Sequence, residues 1–265
     1  MIDVHCHLNF HSFEKNYDEV IKKAKKDGVE KIINVGTKID SSQKAIGLAK
    51  DYENLFAIVG IHPHHADKLE KGWEITLEKL AKNAKKVVAI GEIGMDYYSY
   101  KSNSIVDPKL QKDIFIKQIE LAFKLKLPLQ IHNRHAGKDI LEILSSHKSY
   151  LLSPPGMFHC MSGDIQFLKQ VLNLGFYVGF DGNITYQGFA PGENIHLKDL
   201  VNYAPLDRIV AETDSPFLAP EPHRGSPNMP SYVIIVASKI AEIKGVSFSL
   251  VEDQTTRNAN AIFNL

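Results

Sequence analysis

The chain has 265 residues, 44% of them hydrophobic and 23% charged, an ordinary composition for a globular protein with a full core. Its 31 basic residues balance 31 acidic ones. This excludes the overall basic footprint of a protein that grips long duplex nucleic acid, so any polyanionic substrate is expected to be short or single-stranded and held locally. No apolar run is long enough for a membrane span, and no signal-peptide pattern opens the chain. Two cysteines, Cys6 and Cys160, make no disulfide framework. The expected protein is cytoplasmic and monomeric, with no membrane partner.

The first predicted element is a strand over Ile2–Leu8, which carries Asp3-Val4-His5-Cys6-His7. Residues two apart on a strand point to the same face. His5 and His7 are therefore expected side by side, as a pair of metal ligands must be. A helix over Glu14–Lys26 follows, then a strand over Lys31–Val35 and a helix over Ser41–Tyr52, with Asp40 and Gln43 offering a capping box. The strand Phe56–Ile61 leads into His62 and a helix over Trp73–Asn83. The strand Val87–Gly91 opens with Val87-Val88-Ala89-Ile90, a continuous apolar run of the kind found in strands buried on both faces. A loop over Tyr97–Asp107 separates it from a helix over Pro108–Lys126, whose Leu110, Ile114, Phe115, Ile119, Ala122 and Phe123 make one broad stripe. Next come the strand Pro128–His132, the helix Lys138–Ser145, the strand Met157–Cys160 and the helix Asp164–Asn173. The strand Phe176–Phe180, a loop over Gly182–Ile195, the helix Leu197–Tyr203 and the strand Arg208–Glu212 follow. Helices over Ser231–Lys244 and Ser249–Phe263 complete the chain.

Strict alternation of strands and helices implies a parallel sheet. Eight such units at this length imply an α/β fold closed as a single (β/α)₈ TIM barrel, one domain over 1–265. There is no glycine-rich dinucleotide fingerprint and no phosphate-binding loop motif. Barrel enzymes build their sites at the C-terminal ends of the strands. The loops Tyr97–Asp107 and Gly182–Ile195 both fall at that rim, where a role in substrate selection is expected.

The polar residues at those strand ends are the informative pattern. His62 closes the third predicted strand, Glu92 the fourth, His132 the fifth and His159 the sixth, and Asp214 follows the eighth. Closure of a barrel places the eighth strand beside the first, so Asp214 is expected next to His5 and His7. Singly, each residue reads as a structural histidine or a helix cap. Together, His5, His7, Glu92, His132, His159 and Asp214 form a cluster too costly to bury without cations. Six ligands exceed one tetrahedral ion and suggest two divalent ions, and four imidazoles among them lean toward zinc, manganese or iron, since magnesium prefers oxygen ligands. Glu92 is the bridging candidate between an ion held by His5, His7 and Asp214 and one held by His132 and His159.

These residues lie in motifs that resemble the TatD-type metal-dependent deoxyribonucleases, within the amidohydrolase-like group of metallo-barrels. The motifs are DVHCHL at 3–8, GIHPHHA at 60–66, GEIGMDYY at 91–98, LPLQIHNR at 127–134, FHCMSG at 158–163, ETDSPFLAP at 212–220 and HRGSPN at 223–228. The resemblance spans the whole chain and implies the same six ligands. It also implies phosphodiester hydrolysis, typically as a 3′→5′ exonuclease on single-stranded or damaged DNA and sometimes on RNA, with magnesium. Met161 departs from the family pattern, as do the segment after the seventh strand (Asp181-Gly182-Asn183-Ile184-Thr185-Tyr186-Gln187) and Met229. None of them is a ligand position, so the departures bear on substrate preference.

The expected mechanism is two-metal hydrolysis, with Glu92 between the ions and Asp214 as general base. His62 is expected to contact the phosphate or the leaving group. Arg134 and Arg224 are candidate phosphate grips, since a guanidinium matches two phosphate oxygens. The plain alternative for each is a rim salt bridge. Tyr97 and Tyr98 offer base stacking or simple packing under the loop. His64 and His65 are read as supporting residues, and Cys6 and Cys160 as buried apolar residues turned from the mouth. Alternative substrates are another phosphoester, or an ester or amide such as an aminoacyl-tRNA. A non-catalytic barrel is the remaining reading, disfavoured because no ligand is missing.

Overall fold

The structure, a computed structural model, describes residues 1–100, 104–189, 192 and 194–265. Eight parallel strands lie in sequence order around one sheet: β1 (Ile2–Cys6), β2 (Lys31–Val35), β3 (Leu55–Val59), β4 (Val87–Asp96), β5 (Leu129–Arg134), β6 (Gly156–Phe158), β7 (Tyr177–Phe180) and β8 (Ile209–Ala211). Between them run α1 (Tyr17–Lys26), α2 (Ile39–Asp51), α3 (Trp73–Asn83), α4 (Pro108–Leu125), α5 (Gly137–Ser146), α6 (Ile165–Asn173) and α7 (Leu197–Tyr203). After β8 come α8 (Val233–Lys244) and α9 (Phe248–Phe263). This is a (β/α)₈ TIM barrel.

The ring closes through the chain just past β8. Ser215 bridges Cys6 in parallel, the His7 amide donates to the Ser215 carbonyl at 2.8 Å, and the Asp214 amide donates to the His5 carbonyl at 2.9 Å. Asp3, wholly buried, reinforces the seam by accepting from the Thr213 hydroxyl at 2.7 Å and amide at 3.0 Å. Below the mouth, Ile33, Ile58, Met157 and Val210 share one apolar cluster with Ile262 and Phe263 of α9. Strands that far apart around a ring meet only inside it, so the barrel is packed rather than hollow.

Several boundaries differ from the sequence expectation. Strand β4 continues through Asp96 instead of stopping at Gly91, and His132 lies inside β5. The cause is the close approach of β4 to β5. Gly94 has φ +144°, and a Cβ there would stand 2.0 Å from the His132 carbonyl oxygen. Glycine's freedom thus allows the pairing to run on past an apolar pattern that had ended. His62 lies beyond β3 and opens a 3₁₀ turn over Pro63–Lys68. The expected Asp40–Gln43 capping box is absent. Ser41 serves instead, its hydroxyl accepting from the Thr37 amide at 2.8 Å and the Lys38 amide at 3.0 Å. Helix α1 starts at Tyr17, after a 3₁₀ turn over His11–Phe13. Helix α8 starts at Val233, after another over Pro230–Tyr232. The expected loop after β7 opens with a 3₁₀ turn over Gly182–Thr185. Within the two expected rim loops, 101–103 and 190, 191 and 193 lie outside the described residues.

Candidate metal centre

Strand β1 presents His5, and the residue just past its end, His7, joins it in the mouth, where their Nε2 atoms face each other at 3.1 Å. Two carboxylate oxygens complete the group. Asp214 Oδ1 lies 3.5 Å from His5 Nε2 and 3.4 Å from His7 Nε2; Glu92 Oε2 lies 3.8 and 3.9 Å from the same two atoms. Four ligands about 2.1 Å from a tetrahedral ion stand about 3.4 Å from one another, so these separations match a cation-sized nest. His7 is steered into it from behind, because its Nδ1 meets the Val35 carbonyl at 2.9 Å.

The other oxygen of Glu92 faces a second group. Oε1 lies 2.7 Å from His132 Nδ1, 3.5 Å from His159 Nε2 and 3.6 Å from His62 Nε2. Glu92, His132 and His159 bring their donor atoms close enough to hold an ion. The two oxygens of one carboxylate are thus divided between two sets of imidazoles.

Three further carboxylates hold these ligands, and sequence reasoning missed them. Asp96 Oδ2 lies 3.0 Å from both His132 Nε2 and His64 Nε2. Glu212 Oε1 meets His159 Nδ1 at 3.1 Å and accepts from the Cys160 amide at 2.6 Å. Gly179 leaves space for it, since a Cβ there would collide with the Glu212 carboxylate at 2.7 Å. Asp3 fastens the Asp214 turn as described above. Asp96 is four residues after Glu92 on the same face of β4, a relation that becomes visible only once β4 is seen to run through Asp96. Carboxylates that fix the far side of a ligating imidazole are a regular part of metal sites.

The electrostatics also call for cations. Burial and the neighbouring His159 push His5 well below the usual imidazole range, and burial with His132 does the same to His62. For Glu92, burial is outweighed by His62 and by the bond to His132, which hold it well below the usual carboxylate range. Burial is likewise outweighed at His132 by Asp96 and Glu92, and at His159 by Glu212, so these imidazoles rise to about 9 and about 10. Protons on His132 and His159 thus balance an excess of carboxylate, the charge divalent ions supply when they bind. Burial with Glu212 and Asp214 also raises Asp181 to about 7.

The nest opens into a cleft of about 1440 Å³. Arg134 lies 4.3 Å from the centre of the Tyr98 ring and Arg224 4.1 Å from that of Tyr186, both at the cleft wall. Arg224 is only 4.0 Å from Glu221, a loose ion pair. Tyr97 packs as the plainer expectation has it, donating to Asp139 at 2.5 Å. His64 contacts Asp96, and His65 lines the cleft without joining the donor group. Cys6 is fully buried, as expected. Cys160 departs from expectation: it is only partly buried and lines the cleft, because a left-handed backbone at φ +46° breaks the strand alternation after β6.

Residues 2–264 match the family model described as TatD related DNase. The chain is 36% identical to the uncharacterized metal-dependent hydrolase YabD of Bacillus subtilis, over 100% of this chain and 99% of that protein. It is 32% identical to the 3′-5′ ssDNA/RNA exonuclease TatD of Erwinia tasmaniensis, over the whole of both chains. Among solved structures, YJJV, a TatD homologue from Escherichia coli, superposes with a TM-score of 0.90 at 28% identity, over 100% of this chain and 98% of that one. This chain therefore belongs to the TatD-related DNase family and is a metal-dependent hydrolase.

Proposed function

We propose that this protein hydrolyses phosphodiester bonds of single-stranded nucleic acid, as a 3′→5′ exonuclease using two divalent ions. The observation that carries the reading is the division of Glu92 between the His5–His7–Asp214 nest and the His132–His159 pair, the arrangement that two-ion phosphoryl hydrolysis needs. The activity in the name of the Erwinia tasmaniensis relative supports the choice of substrate. Strands from both ends of the chain build the one centre, which supports a single hydrolase domain over 1–265.

Bound cations supply Lewis acidity, acidifying water toward neutral pH and offsetting charge on the phosphate. The protein's own groups do the rest. Asp214 reaches the nest from the turn after β8 and accepts the proton of the attacking water. His62 is held neutral by burial, and its Nδ1 accepts from the His64 amide at 3.2 Å. The ring proton of the neutral form is then on Nε2, which lies 3.6 Å from Glu92 Oε1 and would serve as a donor for the phosphate or leaving group. Arg134 and Arg224, each over a tyrosine ring at the cleft wall, offer guanidinium N–H groups to phosphate oxygens.

A substrate panel tests this: 5′-labelled single-stranded DNA, RNA, duplex DNA, small phosphoesters and aminoacyl-tRNA, each with magnesium, manganese and zinc in turn. Stepwise shortening from the 3′ end of single strands is the expected result. Turnover of small esters or aminoacyl-tRNA with no shortening of any strand would overturn it.

A further inference from the structure

Phe217 is a half-exposed ring, 50% accessible, on the wall of the metal-bearing cleft. Its backbone is not loose. The Phe217 amide donates to the Asp214 carbonyl at 2.8 Å, and the Phe217 carbonyl accepts from Asn228 Nδ2 at 2.7 Å. The same Asn228 nitrogen bonds the Thr213 carbonyl at 2.6 Å, and the Asn228 amide bonds the Pro216 carbonyl at 3.0 Å. Wholly buried Asn228 thus locks the turn that bears both Asp214 and Phe217. An apolar ring on so fixed a base is presented to the cleft by construction.

Phe10 makes the other wall of a corner. Its ring stacks on His7 at 4.3 Å and 13°, and meets Phe217 at 6.2 Å and 74°. Phe217 stands 6.3 Å from the His7 ring, beside the donor nest. The occupant of a flat apolar corner touching a phosphodiester-cleaving centre is a flat, weakly polar group held one sugar away from the phosphate. Among nucleic-acid parts that is the base. The cations of the cleft suit the attached phosphates: outside the donor cluster, the described lining has Arg134, Lys198, Arg224 and Lys239 against Asp199 and Glu242.

Resting on the function proposed above, we infer that Phe217 and Phe10 form a seat for the 3′-terminal nucleobase of the strand being cut, held by stacking on Phe217. A base inside a duplex is already paired and stacked, so it reaches the seat only after leaving its neighbours. Aromatic stacking of a base has a π-face requirement and no sequence requirement, so any of the four bases is accepted. The corner thereby selects unpaired ends rather than sequences.

The experiment uses the magnesium-loaded enzyme and an oligonucleotide with 2-aminopurine at its 3′ end and a hydrolysis-resistant phosphorothioate as the last linkage. Binding is expected to quench the fluorophore in the wild type and in Phe217→Tyr, and not in Phe217→Ala. In parallel, a cleavable strand is compared with one lacking its terminal base. Base removal should raise KM about tenfold for the wild type; Phe217→Ala should raise it about tenfold on the intact strand and show no further penalty for base removal. Quenching that survives Phe217→Ala, or two penalties that multiply, overturns the seat while leaving the nuclease reading standing. Failure to bind or cut any strand, with bis(4-nitrophenyl) phosphate still turned over, overturns both.

Discussion

Asp214 reaches the donor nest because its backbone turns left-handed, φ +54°, directly after the β8 seam. Short acids tolerate that region, and Asn does so equally. Asp214→Asn should therefore fold with unchanged circular dichroism while kcat falls at least a hundredfold, the usual scale for a lost general base. Retention of full kcat would remove Asp214 from the proton-accepting role. Gly94 is a residue of the opposite kind, carrying no chemistry and permitting all of it. Its φ of +144° and the 2.0 Å clash of a Cβ with the His132 carbonyl mean that Gly94→Ala must push β4 from β5 where Glu92 meets His132. A cost of about 3 kcal/mol, seen as a melting temperature lowered by about 10 °C, is expected. Reduced metal content after purification should accompany it.

At the level of elements, the eight strands were readable because each is a short apolar run between amphipathic helices, and His5 and His7 because strand alternation sets them together. The end of β4 was not readable, since Gly91, Glu92 and Gly94 break the apolar pattern while the pairing to β5 continues through Asp96. The partners of the ligands were harder still. Asp96 meets His132 across 36 residues and Glu212 meets His159 across 53, distances at which no local period carries information. That hidden support can be measured. Glu212→Gln keeps the volume but removes the charge that fixes His159 at Nδ1, so metal affinity should drop 10- to 100-fold, the range for such orienting groups. Competition with a chelating dye reads it; unchanged affinity would leave Glu212 a merely structural acid. Among the described residues no helix is long and apolar enough to cross a membrane, as the composition anticipates.

For the whole molecule, the centre is where the two ends of the chain are joined, so its charge state and the stability of the barrel are linked. Without metal, His132 at about 9 and His159 at about 10 both lie above the ordinary 6.5. Each holds its proton more tightly folded than unfolded, so its stabilising contribution is complete below pH 6.5 and disappears as pH rises through 9 and 10. The metal-free protein should therefore lose melting temperature steadily between pH 7 and 10. Bound cations do the reverse. Coordination requires deprotonated imidazoles, so rising pH strengthens binding, and binding to the folded state alone stabilises it by mass action. The two curves must diverge: the gap in melting temperature between metal-loaded and chelator-treated protein should be small near pH 5.5 and widest near pH 9. Thermal scans across that range with saturating manganese or a chelator measure the gap directly. A gap that does not change with pH would mean that the protons on His132 and His159 and the cations do not compete for the same charge.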